Sequence, residues 1–233
     1  MTKRKLERFA EMATFPNVLQ PSFAEVFRKE HPIKGKWNEV FFKNNNPIVA
    51  ELGCGKGEYT VGLARKFPDK NFLGIDIKGA RIWKGAKTAF ENNITNVGFL
   101  RTRIEFLDAF FIGDELDEIW ITFPDPQPKK KNKRLTSGKF LSMYKTFLKP
   151  TGIIHLKTDS ADLFEYTFSL VKHNHFHILN ACDNLYAKGT NDDILSIQTF
   201  YEKQFLEQRK NIFYLRFVMN AENQVYEPPD VER

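Results

Sequence analysis

The feature that most restricts the fold of this chain is a regular alternation of short apolar runs with longer amphipathic segments, which begins at Pro47. The apolar runs have the length of buried strands and cover residues 48–52, 71–75, 97–100, 118–123 and 153–156. Helical periodicity follows them over about residues 60–66, 80–92 and 138–148, and a further helix runs to about residue 173. Strands that alternate with helices of this length are joined by crossover connections, so the sequence predicts an α/β fold with a mostly parallel sheet.

The two ends of the chain do not follow this alternation. Residues 177–181 and 213–219 look like strands separated by a loop and a polar helix, and we expect them to pair antiparallel at the sheet edge. Residues 1–46 show no strong period, which predicts a basic N-terminal arm with short helices. The expected organisation is this arm, one Rossmann-like domain over residues 47–220, and a C-terminal tail over residues 221–233.

Composition and charge narrow the class of protein further. Hydrophobic residues make up 42% of the chain, which is typical of a globular protein, and no apolar run is long enough to span a membrane. Two cysteines are too few for a disulfide framework, so we expect a reduced, cytoplasmic setting. The net charge of +6 indicates a polyanionic partner. The basic residues form two clusters: Lys3, Arg4, Lys5 and Arg8, and Lys129, Lys130, Lys131, Lys133 and Arg134.

A glycine-rich loop directly follows the first predicted strand. Residues 51–57 read Glu-Leu-Gly-Cys-Gly-Lys-Gly, and this G-x-G-x-G spacing differs from the G-x-G-x-x-G of dinucleotide-binding folds. Glycines allow a ligand to lie against the main chain. A dinucleotide needs a helix N-terminus for its pyrophosphate. A tighter loop headed by the Glu51 carboxylate instead suits a ligand with an ammonium group and no phosphate, such as the methionine moiety of S-adenosylmethionine.

An acid ends the second predicted strand. Asp76 stands where a carboxylate accepts hydrogen bonds from both ribose hydroxyls of an adenosine. Because Glu51 and Asp76 both end parallel strands, they are expected to face one crevice. We expect the adenine to lie after the third strand, near Arg103 and Ile104. These positions predict S-adenosylmethionine as the cofactor.

The fourth predicted strand leads into a second motif, Phe123-Pro-Asp-Pro-Gln-Pro, which precedes the lysine-rich run. The prolines on both sides of Asp125 restrict its loop, so the carboxylate is expected to be held at the opening of the cofactor crevice. The basic run beside it, from Lys129 to Arg134, would bind phosphates around a substrate. The motif therefore predicts that the substrate is an RNA.

Five segments together resemble the bacterial tRNA (guanine-N7)-methyltransferases: residues 51–57, Asp76, Phe123-Pro-Asp-Pro with its basic run, Leu-Lys-Thr-Asp at 156–159, and Thr-Phe-Tyr-Glu at 199–202. The resemblance extends over roughly residues 30–220. It implies the Rossmann-like fold of class I S-adenosylmethionine-dependent methyltransferases, with an antiparallel edge strand. It also implies methyl transfer to N7 of a guanine in the variable loop of tRNA.

The resemblance implies roles for individual residues. Those expected to bind the cofactor are Glu51, Gly53, Gly55, Gly57, Asp76, Arg103, Ile104 and Asp125. Those expected to contact the guanosine or its neighbours are Lys129, Asp159, Thr199, Tyr201 and Glu202. Asp125 is also the expected catalytic residue. The protein is expected to act on tRNA as a monomer or homodimer, with no metal and no membrane.

The chain departs from the family pattern at three places. Gln127 replaces the aromatic residue that usually follows Asp-Pro. The basic run is about two residues shorter and lacks its histidine. Arg103 stands where an acid often contacts the adenine.

Two other functions fit parts of the sequence. One is a methyltransferase that acts on a protein or small-molecule nitrogen, because Pro124-Asp125-Pro126 resembles the Asn/Asp-Pro-Pro-aromatic loop of such enzymes, although the aromatic residue is absent. The other is a non-catalytic RNA-binding protein with a vestigial pocket. The intact glycines and acids argue against it.

Two smaller features have structural explanations. His173, His175 and His177 would lie on one face of a strand, but no acid or cysteine accompanies them at a familiar metal-ligand spacing, so we expect a solvated edge. Cys54 has no histidine partner evident in the sequence, and we expect it to pack against the following helix.

Overall fold

Eight strands form one mixed sheet in the described part of the protein. The structure, a computed structural model, describes residues 3–187, 193–219 and 224–229, with side chains from residue 6 onward. The strands are β1 (Val18–Leu19), β2 (Ile48–Leu52), β3 (Asn71–Asp76), β4 (Val97–Arg101), β5 (Leu116–Thr122), β6 (Leu148–Thr158), β7 (His177–Cys182) and β8 (Phe213–Val218). The α-helices are α1 (Lys3–Met12), α2 (Phe23–Val26), α3 (Glu58–Lys66), α4 (Gly79–Glu91), α5 (Gly138–Tyr144), α6 (Ala161–His173) and α7 (Phe200–Glu207). A π-helical turn covers Trp37–Phe42, and 3₁₀ turns cover Ile104–Ala109 and Lys131–Lys133.

The sheet has the strand order β1-β4-β3-β2-β5-β6-β8-β7. Neighbouring strands from β1 to β6 are parallel, whereas β8 is antiparallel to both β6 and β7. The predicted α/β fold with an antiparallel edge is confirmed, and β8 is the antiparallel strand. The chain proceeds from β2 to β3 and β4 on one side, and then to β5 and β6 on the other. The crevice between β2 and β5, at the carboxyl ends of the strands, is therefore the expected ligand site.

Both faces of the central strands are covered. Every residue of β2 and β3 is buried. Along β2 the side chains alternate: Ala50 and Leu52 join the larger core with α5 and α6, whereas Val49 joins the core with α3 and α4. Burial on both faces explains why these strands read as continuous apolar runs rather than as alternating patterns.

The predicted helix over residues 138–148 is wrong at its end. α5 ends at Tyr144, and Leu148 already begins β6. The register of β6 against β5 shifts between Leu148 and Ile153, and Pro150 lies within this shift. Because proline cannot donate a ladder hydrogen bond, the residues that look like a turn form an irregularity inside one long strand.

The N-terminal segment is built into the domain. Glu11 of α1 accepts a hydrogen bond from Trp83 Nε1 at 2.6 Å and pairs with Lys87 Nζ at 2.6 Å, which fastens α1 to α4. β1 then adds a parallel strand beside β4. β1 was not predicted, because two residues are too few to show a period.

The three alternating histidines do not share one strand, but all three are exposed, as expected for a solvated edge. His173 ends α6, His175 lies in the connecting turn with φ of +54°, and His177 begins β7. Within the residues given above, no three His, Cys, Asp or Glu side chains are grouped as ligands for a metal ion.

The described segments contain no helix with the length and apolar character needed to cross a bilayer. Of the predicted C-terminal tail, residues 224–229 are described, whereas residues 221–223 and 230–233 lie outside the described residues. The side chains of Lys3, Arg4 and Lys5 in the first basic cluster also lie outside them.

Candidate active site

The glycine-rich loop joins β2 to α3 along a path that requires glycine. Gly53, Gly55 and Gly57 have φ values of +74°, +55° and +68°. Such left-handed angles cost other residues about 1–2 kcal/mol each. The backbone N–H groups of Gly53 and Cys54 both donate to the Ile75 carbonyl on β3, at 2.8 and 3.1 Å. These bonds fix the loop to the neighbouring strand.

The three glycines differ in the space around them. A Cβ at Gly53 would meet only Leu135 Cδ1 at 4.0 Å, and one at Gly55 only the Gly53 carbonyl at 3.9 Å. A Cβ at Gly57 would come within 2.6 Å of the Phe99 ring. The open space at the first two glycines suits a ligand that approaches the main chain. The packing at Gly57 shows that this glycine lets α3 lie close to β4.

Glu51 is buried beneath the loop, with 3% of its surface exposed. Its carboxylate accepts hydrogen bonds from the Thr60 backbone N–H at 2.8 Å, from the Thr60 hydroxyl and from the Thr122 hydroxyl. Burial raises the pKa of Glu51 to about 7, against the lowering effect of these hydrogen bonds. Glu51 therefore links β2 to the end of β5 across the crevice, and neither threonine was predicted.

Asp76, at the end of β3, contacts the other side of the glycine-rich loop. Its Oδ2 accepts from the Gly55 backbone N–H at 3.0 Å and its Oδ1 from the Lys78 N–H at 2.7 Å. Each carboxylate oxygen can accept a further hydrogen bond, because each has a second lone pair. The structure thus brings Glu51, Asp76 and the glycine loop together as predicted from the strand ends.

The segment expected to meet the adenine follows β4. Arg103 is exposed at the start of the 3₁₀ turn, and Ile104 is partly buried against the core. Ile77, directly after Asp76, is 47% exposed and was not predicted. It adds apolar surface beside the acid, and an isoleucine after a strand-ending aspartate is a signal that the sequence already contains.

Asp125 is exposed in the loop that follows β5. Its Oδ1 accepts from the Gln127 N–H at 3.1 Å, and φ is positive at both Phe123 and Gln127. The Phe123 N–H donates to the Lys157 carbonyl on β6 at 2.7 Å. The carboxylate thus lies in a turn that begins at the strand next to β2.

The lysines of the second basic cluster are exposed, but its arginine is not. Arg134 is buried, with Cζ 4.4 Å from the centre of the Tyr166 ring, and its Nε donates to the Pro126 carbonyl at 3.0 Å. Including Arg134 among the phosphate-binding residues was therefore wrong. A run of basic residues in the sequence does not reveal which of them will be buried through contacts with an aromatic ring and a carbonyl.

α7 begins beside the glycine loop. Thr199 caps this helix by accepting from the Glu202 N–H at 3.1 Å, and the Phe200 N–H donates to Glu58 Oε2 at 2.8 Å. Lys56 Nζ lies 3.7 Å from the centre of the Phe200 ring. Phe200 and the neighbouring Tyr201 are both exposed. Two aromatic rings are thereby brought next to the loop.

Glu202 lies beneath this surface. It is fully buried, 2.7 Å from Lys157 Nζ, and its Oε1 accepts from the Tyr186 hydroxyl at 2.7 Å. Lys157 Nζ also donates to the Leu195 carbonyl at 2.8 Å. Lys157 was not predicted, although a lysine inside an apolar strand was the available signal. Its ion pair fastens β6 to α7.

Asp159 follows β6 and is partly exposed. Its Oδ2 is 2.8 Å from Lys210 Nζ. Because β5 and β6 are parallel neighbours, Asp125 and Asp159 follow adjacent strand ends. Cys54 is buried as expected, and burial raises the pKa of its thiol.

Solved structures of other methyltransferases have a similar fold. One is an antibiotic-related methyltransferase with a TM-score of 0.61 and 20% identity, covering 83% of this chain and 96% of its own. Another is a 30S ribosomal A1408 methyltransferase from an uncultured bacterium, with a TM-score of 0.57 and 18% identity, covering 76% and 90%. At these identities the likeness concerns the fold alone.

Sequence comparison identifies the family. A family model described as "Putative methyltransferase" matches residues 45–215. The tRNA (guanine-N(7)-)-methyltransferase of Bacteroides thetaiotaomicron is 50% identical over 100% of this chain and 92% of its own length. The protein of the same description from Christiangramia forsetii is 54% identical over 93% and 98%. The chain belongs to the family of tRNA (guanine-N(7)-)-methyltransferases.

Proposed function

We propose that this protein transfers a methyl group from S-adenosylmethionine to N7 of a guanine in the variable loop of tRNA. The observation that carries the proposal is the position of Asp125, an exposed carboxylate after the strand next to the glycine loop and beside a run of exposed lysines. Family membership supports both the reaction and the substrate.

The residues around the glycine loop fit S-adenosylmethionine. When bound, this cofactor supplies an electrophilic methyl group on a positively charged sulfur. Gly53 and Gly55 leave the main chain open to a ligand, and Asp76 has lone pairs for ribose hydroxyls. Glu51 keeps a carboxylate beneath the loop for the ammonium end. Arg103 and Ile104, with the exposed Ile77, would border the adenine.

Asp125 would orient the guanine. N7 has an in-plane lone pair and no proton, so its attack needs no general base, and alignment is the main requirement. The purine ring gains positive charge as the bond to carbon forms. A carboxylate that accepts hydrogen bonds from the N1–H and N2–H₂ edge would hold the base and stabilise that charge. Asp125 also borders the cofactor crevice, so it would act where the two ligands meet.

The remaining predicted residues would hold the RNA. Lys129 and its exposed neighbours would bind phosphates, whereas Asp159, Thr199 and Tyr201 would contact the guanosine or the next nucleotide. Reaching the base requires unstacking, which costs a few kcal/mol and favours a flexible loop. Glu202 would act indirectly, from beneath the surface of α7, because its ion pair with Lys157 positions that helix. We place the protein in the cytoplasm, as a monomer or homodimer that needs no metal.

The test is methyl transfer from labelled S-adenosylmethionine to tRNA transcripts with and without a guanine in the variable loop. Products are mapped by the chain cleavage specific to N7-methylguanosine. We expect label and cleavage at that guanine alone, and about a hundredfold lower kcat for Asp125→Asn. Cofactor binding without label on any tRNA would favour a protein or small-molecule substrate instead, and tRNA binding without cofactor binding would favour a non-catalytic protein.

A further inference from the structure

Residues 224–229, called here the C-terminal strap, lie against α6 and outside residues 45–215, which the family model matches. Val225 is buried in the larger core. The Tyr226 backbone exchanges two hydrogen bonds with the Asn174 side chain: its N–H donates to Oδ1 at 2.7 Å, and its carbonyl accepts from Nδ2 at 2.8 Å. The strap is therefore docked by specific contacts.

Glu227 of the strap joins two elements of the domain. Its Oε1 accepts from the Gly138 backbone N–H, the first residue of α5, at 2.8 Å. Its Oε2 accepts from the Tyr166 hydroxyl of α6 at 2.7 Å. Burial and the neighbouring carboxylate both raise the pKa of Tyr166, so its hydroxyl remains the donor. A Cβ at Gly138 would lie 3.1 Å from Glu227 Oε1, so glycine leaves room for this close approach.

Tyr166 carries this connection to the Asp125 loop. The Arg134 guanidinium lies over the Tyr166 ring, with 4.4 Å between Cζ and the ring centre. Arg134 Nε in turn donates to the carbonyl of Pro126, the residue after Asp125, at 3.0 Å. Each contact in the series from Glu227 to Pro126 is direct.

The segment that follows Asp125 also meets α6 at a second point, where the buried hydroxyls of Thr136 and Thr167 lie 2.7 Å apart. A groove of about 930 Å³ lies between the loop and α6, with Pro128 and Asn132 on the loop side and Ser169 on the helix side. Of the two contacts with α6, the strap touches the one between Arg134 and Tyr166 directly, through the Tyr166 hydroxyl.

We propose that Glu227 is a positioning residue that sets the place of Asp125 through Tyr166 and Arg134. The expected effect of Glu227 on kcat rests on the proposed function. The expected effect of Glu227 on the Asp125 loop is independent of the substrate. Glu227 itself is exposed, so the expected effect is moderate.

The first readout is kinetic. We expect Glu227→Ala to lower kcat for tRNA methylation about fivefold, with the KM for S-adenosylmethionine unchanged, because misplacing a catalytic group lowers the rate without weakening cofactor contacts. Glu227→Gln should retain most of the rate, since its amide can still accept from Gly138 and donate to the Tyr166 oxygen. Tyr166→Phe keeps the ring beneath Arg134 and loses only the bond to Glu227, so it should lower kcat in the same direction as Glu227→Ala and by no more. The double variant should be no worse than Glu227→Ala, since the contact between Glu227 and Tyr166 is already lost in it.

The second readout needs no activity. We expect hydrogen–deuterium exchange of a peptide covering residues 126–137 to be faster in Glu227→Ala than in the wild type. Gly138 is left out because its N–H donates directly to Glu227. Glu115→Ala is the matched control, because Glu115, just before β5, also accepts backbone N–H groups, from Gly35 at 3.2 Å and Ile112 at 3.0 Å. It should lower stability while leaving both kcat and the exchange of residues 126–137 unchanged.

The two readouts separate the possible failures. Unchanged exchange in Glu227→Ala, or equal losses of kcat in Glu227→Ala and Glu115→Ala, would overturn the positioning role. Faster exchange in Glu227→Ala together with a wild-type protein that methylates no tRNA would support the connection to the loop and reject the proposed function.

Discussion

The carboxylates on the two sides of the crevice have different partners. On the side of β2 and β3, Glu51 and Asp76 accept hydrogen bonds from backbone N–H groups and threonine hydroxyls. Among the described residues no lysine or arginine forms an ion pair with either of them. On the side of β6 and α7 two acids have a lysine partner: Lys157 for Glu202, and Lys210 for Asp159.

The charges of the proposed ligands explain this difference. S-adenosylmethionine carries a sulfonium and an ammonium group, so carboxylates that no lysine or arginine neutralises can attract it. RNA carries a negative phosphate at every nucleotide, so an acid near its path repels it unless a cation neutralises that acid. In the proposed arrangement of the described residues, Glu51 and Asp76 are unpaired on the cofactor side, whereas Glu202 and Asp159 are paired on the RNA side.

The largest effect is expected from breaking the buried pair on the RNA side. Lys157→Met leaves the Glu202 carboxylate without its cation in a site with no exposed surface. Such a loss costs about 3–5 kcal/mol of the free energy of unfolding, because the remaining charge is desolvated and unpaired. Urea unfolding followed by circular dichroism measures it.

The double variant Lys157→Met, Glu202→Leu is the control for this prediction. It removes both charges, so we expect it to be at least about 2 kcal/mol more stable than the single variant. If the two proteins unfold at the same urea concentration, the cost comes from packing, and the pair has no electrostatic role in fastening α7.

On the cofactor side, stability is expected to be sensitive to changes in the backbone of the glycine-rich loop. Gly57→Ala would place a Cβ within 2.6 Å of the Phe99 ring at a φ of +68°. Overpacking and backbone strain together should lower the free energy of unfolding by about 3 kcal/mol. Gly53→Ala has a similar φ but open space around it, so about 1 kcal/mol is expected. Thermal unfolding of the two variants compares them, and equal losses would show that packing at Gly57 is unimportant.

We expect Glu51 to make the free energy of unfolding depend on pH. The folded-state pKa of Glu51 is about 7, above its ordinary value of 4.5, so the folded protein retains a proton that the unfolded chain releases between these values. The stability contributed by Glu51 is therefore full below about pH 4.5 and lost as the pH rises through 7. Relative to Glu51→Gln, the wild type should lose roughly 2–3 kcal/mol over this range. A difference that stays constant with pH would place the Glu51 pKa near its ordinary value.

The sequence predicted the grouping of acids beside the glycine loop but not the partners of the acids near α7, for a physical reason. The ends of parallel strands coincide in space, so Glu51 and Asp76 could be placed in one crevice from the strand pattern alone. The pairing of Lys157 with Glu202 could not, because it depends on how α7 folds back over β6. The sequence also did not reveal that Arg134 is buried, since its burial depends on the Tyr166 ring of α6.

The smallest effect on stability is expected at the exposed pair on the RNA side. Lys210→Ala removes the partner of Asp159 and should change the free energy of unfolding by less than about 1 kcal/mol. It leaves an acid unneutralised beside the proposed RNA path, so tRNA affinity should fall about threefold more than in Lys203→Ala. Lys203 is an exposed lysine of α7 whose loss removes the same charge from another position. Filter binding at fixed salt measures both, and the difference should shrink at higher salt. Equal affinities of the two variants would mean that Asp159 lies away from the RNA, and that charge pairing on this side serves the fold alone.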